Sequence, residues 1–447
     1  MLKNFSELKL LKAAVLLVQL TSLNLCFFEG ISVKNVFLCV FLFVVSMVLP
    51  FFCYKKVPSF RLKMCAYGNT MLEIFTLSST LTFLYQVVWL FAVKKQALNI
   101  PALIIFIIGE TVFFWTGMIT VYIFSEQLGL KKRFMGIICG MLPVVNLFCL
   151  ADIMNTCASE VKLESEKHWL NESRKNEKIC KTKYPILLVH GVFFRDWNHF
   201  NYWGRVPAEL TKNGASVFYG GQESAASVEK CAAQVAEAID NVLEKTGAQK
   251  VNIIAHSKGG LDSRYAIAKF GIADKVASLT TINTPHRGCF FADYLLKKID
   301  QAVKNTIANS YNMAARALGD KNPDFMEAVT DLTADACKKR NELLSKDGEC
   351  LENIYCQSVG SEMAKAKSGR FPLNLSYDFV KHFDGRNDGL VGEDSFRWGE
   401  DYTFLTNTKK RGISHADMID LNRENIEGFD VREFYVKLVS ELKNKGM

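Results

Sequence analysis

The chain has 447 residues, with 54 Lys plus Arg against 46 Asp plus Glu and a formal charge of +8. That length admits two or three domains, and the charge excess is too small to argue for a nucleic-acid partner. The average hides an asymmetry: residues 1–153 are very apolar and nearly free of acids, whereas residues 154–447 have ordinary globular composition. Of the thirteen cysteines, Cys26, Cys39, Cys53, Cys65, Cys139 and Cys149 fall in or beside the apolar runs, where a thiol acts as a small hydrophobe. The other seven are odd in number and form no close CxxC pair, which argues against a zinc framework.

An apolar helix of about 20 residues crosses the hydrocarbon core. Runs near 11–28, 35–54, 71–93, 101–124 and 134–153 meet that length, so about five spans are expected. The first run reads as a span, since it is long, has no small-x-small cleavage site and is followed by further runs. Loop charges then set the orientation. With five spans, Lys3, Lys9, Lys12, Lys55, Lys56, Arg61, Lys63, Lys131, Lys132 and Arg133 share one side, against Lys34, Lys94 and Lys95 on the other. The richer side is cytoplasmic by the positive-inside rule, which puts the C-terminal region on the extracytoplasmic side. Glu110 lies inside the fourth run and is expected to face a neighbouring helix. Residues 154–183, dense in Lys, Glu, Asn and Ser, read as a charged linker.

From residue 184 the pattern alternates strand and helix. Residues 185–190, 215–219, 251–255 and 277–282 are apolar strands, and helices are expected near 227–246 and 261–270. Continuous apolar strands separated by helices predict a mostly parallel central sheet covered on both faces. In such a sheet ligands bind beyond the carboxyl ends of the strands. Ser257 stands there, in Ala255-His256-Ser257-Lys258-Gly259. A serine held out into the crevice by a sharp strand-to-helix turn needs small residues on both sides, which is the logic of a nucleophile elbow. The same residue could also be a plain helix N-cap.

Acyl transfer from such a serine needs two convergent N–H donors, a base and an acid that orients the base. Lys258 N–H follows the nucleophile directly. Val192 N–H, after His190-Gly191, is the second candidate, because Gly191 lets the backbone come close. His190 itself reads as a residue that positions this loop. Asp388, in Asn387-Asp388-Gly389, and His415, in Ser414-His415-Ala416, follow Ser257 in the order acid then base. Each alone has a bland reading, as a turn or a structural histidine.

Taken together, residues 184–191, 214–218, 247–260, 264–265, 280–288, 291–293, 387–391 and 415–417 resemble the bacterial true lipases, the pseudomonad-type triacylglycerol lipases of the α/β-hydrolase fold. The resemblance covers most of residues 184–430 and none of the apolar third. It implies Ser257 as nucleophile, Asp388 as acid, His415 as base, Val192 and Lys258 as oxyanion donors, and a lid around 294–328. It also implies a structural calcium with Asp417 as one ligand. The position of the second carboxylate is held by Asn374, which weakens that site, since a hard cation prefers charged oxygen ligands. No cofactor is expected for the chemistry. The expected substrate is a lipid or acyl ester beside a bilayer. Two other readings share these residues: an acyltransferase or protein-deacylating thioesterase, and a non-catalytic membrane scaffold or sensor.

Overall fold

A computed structural model describes residues 2–92, 100–192, 201–346, 351–406 and 411–447. Lys94, Lys95 and Cys350 lie outside the described residues. The chain divides into two compact units, Met1–Glu172 and Ser173–Met447.

The first unit is helical: α1 (Leu2–Glu29), α2 (Val33–Phe52), α3 (Phe60–Ala92), α4 (Ile100–Phe124), α5 (Gly129–Cys139) and α6 (Val145–Ser173). Four of these, α1 to α4, are long and apolar enough to cross a membrane, among the described residues. The fifth expected span is a correction. The run 134–153 is broken between α5 and α6, where Pro143 cannot donate to a helix and Val144 takes a left-handed φ of 68°. Beyond the break, α6 is apolar only to Ala151 and then carries Asp152, Glu160, Lys162, Glu164 and Lys167. It therefore also takes up the first part of the expected linker as helix. Glu160 ties α6 to the far ends of the bundle. Its carboxylate accepts from Arg61 at the start of α3, and from Ser125 Oγ (2.6 Å) and Glu126 N (3.1 Å) just past α4.

Inside this unit polar side chains find partners across helices. Ser46 Oγ donates to Gln19 Oε1 (2.7 Å), Asn24 Nδ2 to Thr82 Oγ1 (3.0 Å), and Ser78 Oγ to Glu110 Oε1 (2.5 Å). Glu110 thus faces a neighbouring helix, as expected. An unsatisfied polar group in hydrocarbon costs several kcal/mol, so such pairing is what a buried polar residue there requires.

The second unit runs β1 (Ile186–Val189), α7 (Val206–Lys212), β2 (Val217–Tyr219), α8 (Val228–Thr246), β3 (Val251–His256), α9 (Lys258–Lys269), β4 (Val276–Ile282), α10 (Phe290–Lys298), α11 (Gln301–Ala317), α12 (Phe325–Thr330), α13 (Ala334–Lys346), β5 (Tyr355–Ser361), α14 (Leu373–Asp384), α15 (Glu393–Phe396), β6 (Asp401–Leu405) and α16 (Val431–Asn444). The six strands form one parallel sheet in the order β2-β1-β3-β4-β5-β6. Successive side chains of a strand point to opposite faces, and here both faces are apolar. Leu187, Val189, Ile253 and Ala255 pack under Ala232, Val235 and Ile239 of α8 and Ala266 and Ile267 of α9. Ile186, Leu188 and Ile254 pack under Val206 and Leu210 of α7 and Tyr435 and Val439 of α16. Each such aliphatic side chain contributes roughly 1.5–3 kcal/mol on burial. Ser227 caps α8, accepting from Lys230 N (3.4 Å), and Gly247 ends it at a left-handed φ of 69°.

The strand order sets the site. From β1 the chain goes to one neighbour, β2, and then returns on the other side as β3. The order therefore reverses between β1 and β3, and at such a switch point the two following loops diverge and leave a crevice. The loop after β1 carries Gly191 and Val192; the loop after β3 carries Ser257.

Candidate active site

Ser257 links β3 to α9 with φ 55° and ψ −130°, a conformation that strains any residue with a side chain. The turn is held by Ser257 N donating to Ile282 O (2.9 Å) and Gly260 N to Ser257 O (3.1 Å). The need for small neighbours has a specific source. A Cβ on Gly259 would stand 2.3 Å from His190 O, and one on Gly260 would stand 2.1 Å from Thr284 Oγ1. The tightest pressure on Gly259 is thus the end of β1. A Cβ on Gly191 would sit 2.8 Å from Ser257 Cβ, so the loop after β1 passes directly against the serine. The backbone amides of Val192 and Lys258 have no acceptor among the described residues. Lys258 directs its side chain away into the core, where Nζ pairs with Asp262 Oδ1 at 2.8 Å. Burial pushes the Asp262 carboxyl up to about 6, against the pull of Lys258.

Asp388 and His415 meet. His415 Nδ1 lies 2.6 Å from Asp388 Oδ2, and His415 N donates to Asp388 O (2.9 Å). Asp388 is both turn and acid. Its Oδ1 accepts from Leu390 N (2.9 Å) and Val391 N (2.8 Å), and Gly389, at φ 102°, makes the turn possible. Its Oδ2 also accepts from Asn283 Nδ2 (2.5 Å). Four donors therefore lock the carboxylate in one orientation.

Ser257, His415 and Val192 all line one apolar cavity of about 250 Å3. Its other walls include Phe291, Leu296 and Ile299 from α10 and its end, Ile307 from α11, and Phe325 and Met326 from α12. Leu296, Ile299, Ile307, Phe325 and Met326 fall in the 294–328 segment expected to form a lid, and Phe291 just before it. The serine, the histidine that holds Asp388 and the Val192 candidate donor thus share one cavity, and Lys258 directly follows the serine.

Three supporting residues were not legible in the sequence. Asn283 ends β4 at a left-handed φ of 49° and also donates to Ser361 Oγ (2.8 Å). Asn tolerates that conformation better than most residues, which is the one signal its position offers. His256 packs its ring 4.5 Å from that of His415, and its Nδ1 lies 2.7 Å from Tyr202 Oη. Burial, and next the nearby His415, hold its pKa well below the ordinary 6.5. His286 is similar: burial, and next Arg264 and Arg287, hold it well below 6.5. Arg264 donates to His286 Nδ1 (3.2 Å), so the remaining proton sits on Nε2 and donates to Thr281 Oγ1 (2.9 Å). His190 braces the loop after β1, with Nε2 2.9 Å from Gln222 O.

The residues around Asp417 do not fit a calcium ion. Asp417 Oδ1 accepts from Arg411 Nη2 (2.9 Å), and Oδ2 from Ser414 N (2.9 Å) and Ser414 Oγ (2.7 Å). A guanidinium already stands where a dication would need negative charge. Asn374 is neutral, and no cluster of three or more His, Cys, Asp or Glu suits a metal among the described residues.

This sheet, with a strained serine after β3 and an acid–histidine pair after β5 and β6, is an α/β-hydrolase fold. Residues 184–346 match the alpha/beta hydrolase fold family. The chain is similar to a triacylglycerol lipase of Pseudarthrobacter phenanthrenivorans, at 33% identity over 40% of this chain and 61% of that protein. It therefore spans about three fifths of that relative's length. It is also similar to a triacylglycerol lipase of Pseudomonas fragi, at 28% identity over 60% of this chain and 98% of that one. The solved mature form of a Bacillus licheniformis lipase aligns with a TM-score of 0.44 at 21% identity, over 58% of this chain and 92% of that one.

Proposed function

We propose that this protein is a membrane-anchored serine hydrolase that cleaves lipid or acyl esters through an acyl-enzyme on Ser257. The observation that carries the reading is the convergence of Ser257, His415 and Val192 on one apolar cavity, with His415 bonded to Asp388. In the proposed cycle Ser257 Oγ attacks the acyl carbonyl while His415 Nε2 takes its proton. Asp388 stabilises the imidazolium so formed. The amides of Val192 and Lys258 donate to the oxyanion, each lowering the barrier by about 3 kcal/mol. His415 then protonates the leaving alkoxide. Water, deprotonated by His415, attacks the acyl carbon and releases the acid and free Ser257. The acyl chain lies along the apolar walls contributed by α10, α11 and α12.

Counting only the four apolar helices as spans changes the side we propose for the hydrolase unit. Adding no span after α4 leaves the ten basic residues on the same side as before, but returns the hydrolase unit to that side. The positive-inside rule then favours a cytoplasmic hydrolase unit. A membrane-impermeant thiol reagent applied to intact cells carrying Lys181→Cys in a cysteine-light background should leave that site unmodified. Modification before lysis would restore the opposite orientation.

The reading is tested by labelling with a fluorophosphonate and by turnover of a nitrophenyl ester. Wild type should label at Ser257 and turn over; Ser257→Ala should fold, fail to label and lose turnover. Undiminished turnover in that variant would remove Ser257 from the mechanism, and failure of folded wild type to label would favour a non-catalytic role.

A further inference from the structure

The segment that carries His415 is fastened by a guanidinium. Arg411 uses all three of its nitrogens on three separate pieces of chain. Nε donates to Ser368 O (2.9 Å), Nη1 to Glu424 Oε2 (2.8 Å), and Nη2 to Asp417 Oδ1 (2.9 Å). Asp417 lies two residues past His415 and grips its loop through Ser414, the residue just before the histidine. Arg370 completes the corner by pairing with Glu424. The backbone joins as well: Ala364 N donates to Arg411 O (3.1 Å), and Ile413 N to Glu362 O (2.7 Å).

Charge at this corner balances. Two guanidinium groups, Arg411 and Arg370, face two carboxylates, Asp417 and Glu424. A calcium ion takes six to eight oxygens and needs carboxylate charge to compensate its own. Here Asp417 has Oδ1 committed to Arg411 and Oδ2 to Ser414. Asn374, in the first turn of α14, contributes no charge, although its Oδ1 is buried without a hydrogen-bond partner among the described residues. The planar guanidinium fork suits this task, because it bonds carboxylates in fixed directions and stays charged throughout the working pH range.

We infer that Arg411 is the positioning residue for His415: it joins the 368, 417 and 424 segments by ion pairing, and the enzyme so built works without calcium. The inference rests on the catalytic reading of His415. Loosening the corner leaves the substrate cavity in place but lets the histidine drift from its working position. The loss therefore falls on kcat rather than KM.

The test uses the full chain in detergent micelles, with inorganic calcium and the chelator EGTA as probes. For wild type, melting midpoint and ester turnover should be the same in EGTA and in millimolar calcium. Arg411→Gln should lower kcat roughly tenfold with KM little changed, within the range that misplacement of a catalytic group costs. In Arg411→Ala, added methylguanidinium should restore part of kcat, and it should do nothing for wild type. Arg411→Lys, which keeps the charge but not the fork, should fall between wild type and Arg411→Gln and covers the case in which a neutral variant fails to fold. A drop in the wild-type midpoint or turnover on chelation would overturn the inference. So would unchanged kcat in Arg411→Gln, or equal kcat losses in Arg411→Lys and Arg411→Gln. If wild type has no esterase activity at all, the proposed function fails, while the midpoint in EGTA still decides whether the corner depends on calcium.

Discussion

The two units of this chain use the same residue types in opposite ways. In the helical unit large apolar side chains face outward: Phe37, Phe41, Phe83, Trp115 and Ile123 are all exposed, while Gln19, Ser46, Ser78 and Glu110 are buried. In the hydrolase unit Leu187, Ile253, Val235 and Tyr435 fill the interior, and most charged groups lie outside. Water drives apolar groups inward, whereas a lipid solvent offers them no such penalty and leaves polar groups as the ones that need company. The contrast also shows what a buried polar group does in each unit. In the bundle it joins two helices. In the second unit Asn283, Ser361, Asp388 and His415, at and beyond the carboxyl ends of β4, β5 and β6, orient one another. The region around α10, α11 and α14 departs from the second pattern, with Phe290, Val303, Met313, Phe371 and Leu375 exposed.

The contrast can be broken or sharpened by removing single partners. The largest effect is expected at the acid. Asp388→Asn should cut kcat/KM for a nitrophenyl ester by about 10⁴-fold with the fold intact, because the amide leaves His415 in the wrong tautomer. A loss below tenfold would mean that His415 does not rely on this carboxylate. Asn283→Ala comes next. It strips one donor from Asp388 Oδ2 and one from Ser361, and should lower unfolding free energy by about 1–3 kcal/mol and kcat by more than KM changes. Equilibrium denaturation of the hydrolase unit together with steady-state kinetics measures both.

A third effect is set by pH. His256 and His286 are held neutral in the folded unit, while each titrates near 6.5 once unfolded. Below that value the unfolded chain binds protons that the folded one does not, so stability falls as pH drops, by about 1.4 kcal/mol per pH unit for each histidine. Denaturation of His286→Gln and wild type between pH 6.5 and 5.5 should therefore give a shallower fall in the variant. Equal slopes would show that His286 takes up a proton in the folded state. The smallest effect belongs to the bundle. Ser46→Ala, which removes the partner of Gln19, should cost only about 0.6 kcal/mol and leave ester turnover unchanged, because helices in lipid find substitute partners readily.

Much of this architecture was legible in the chain because it rests on local pattern. The strands 251–255 and 277–282 are apolar runs of strand length, and the helix ending at Gly247 has an amphipathic face and a glycine stop; each lies where expected. The helix after Ser257 begins three residues earlier than its apolar pattern suggests, because the elbow passes directly into it. The fifth span failed for a related reason. Its apolar composition outweighed the warning that Pro143 gave, and the run breaks between Cys139, where α5 ends, and Val145, where α6 begins. Asp388 and His415 stood out by their order after Ser257, and the structure brings those two side chains into contact. Asn283 was not, since its partner Asp388 lies 105 residues away and nothing local marks the pairing. Arg411 escaped for the same reason: an arginine beside Gly412 has no signature until the chain folds the 368 and 424 segments against it.

The most direct test of the convergence is a crystal structure of the hydrolase bound to a phosphonate ester analogue. We expect phosphorus bonded to Ser257 Oγ, one phosphonyl oxygen within hydrogen-bonding distance of both Val192 N and Lys258 N, and the alkyl chain in the cavity beside Phe291 and Ile307. An adduct on a different residue, or a phosphonyl oxygen turned away from both amides, would contradict it.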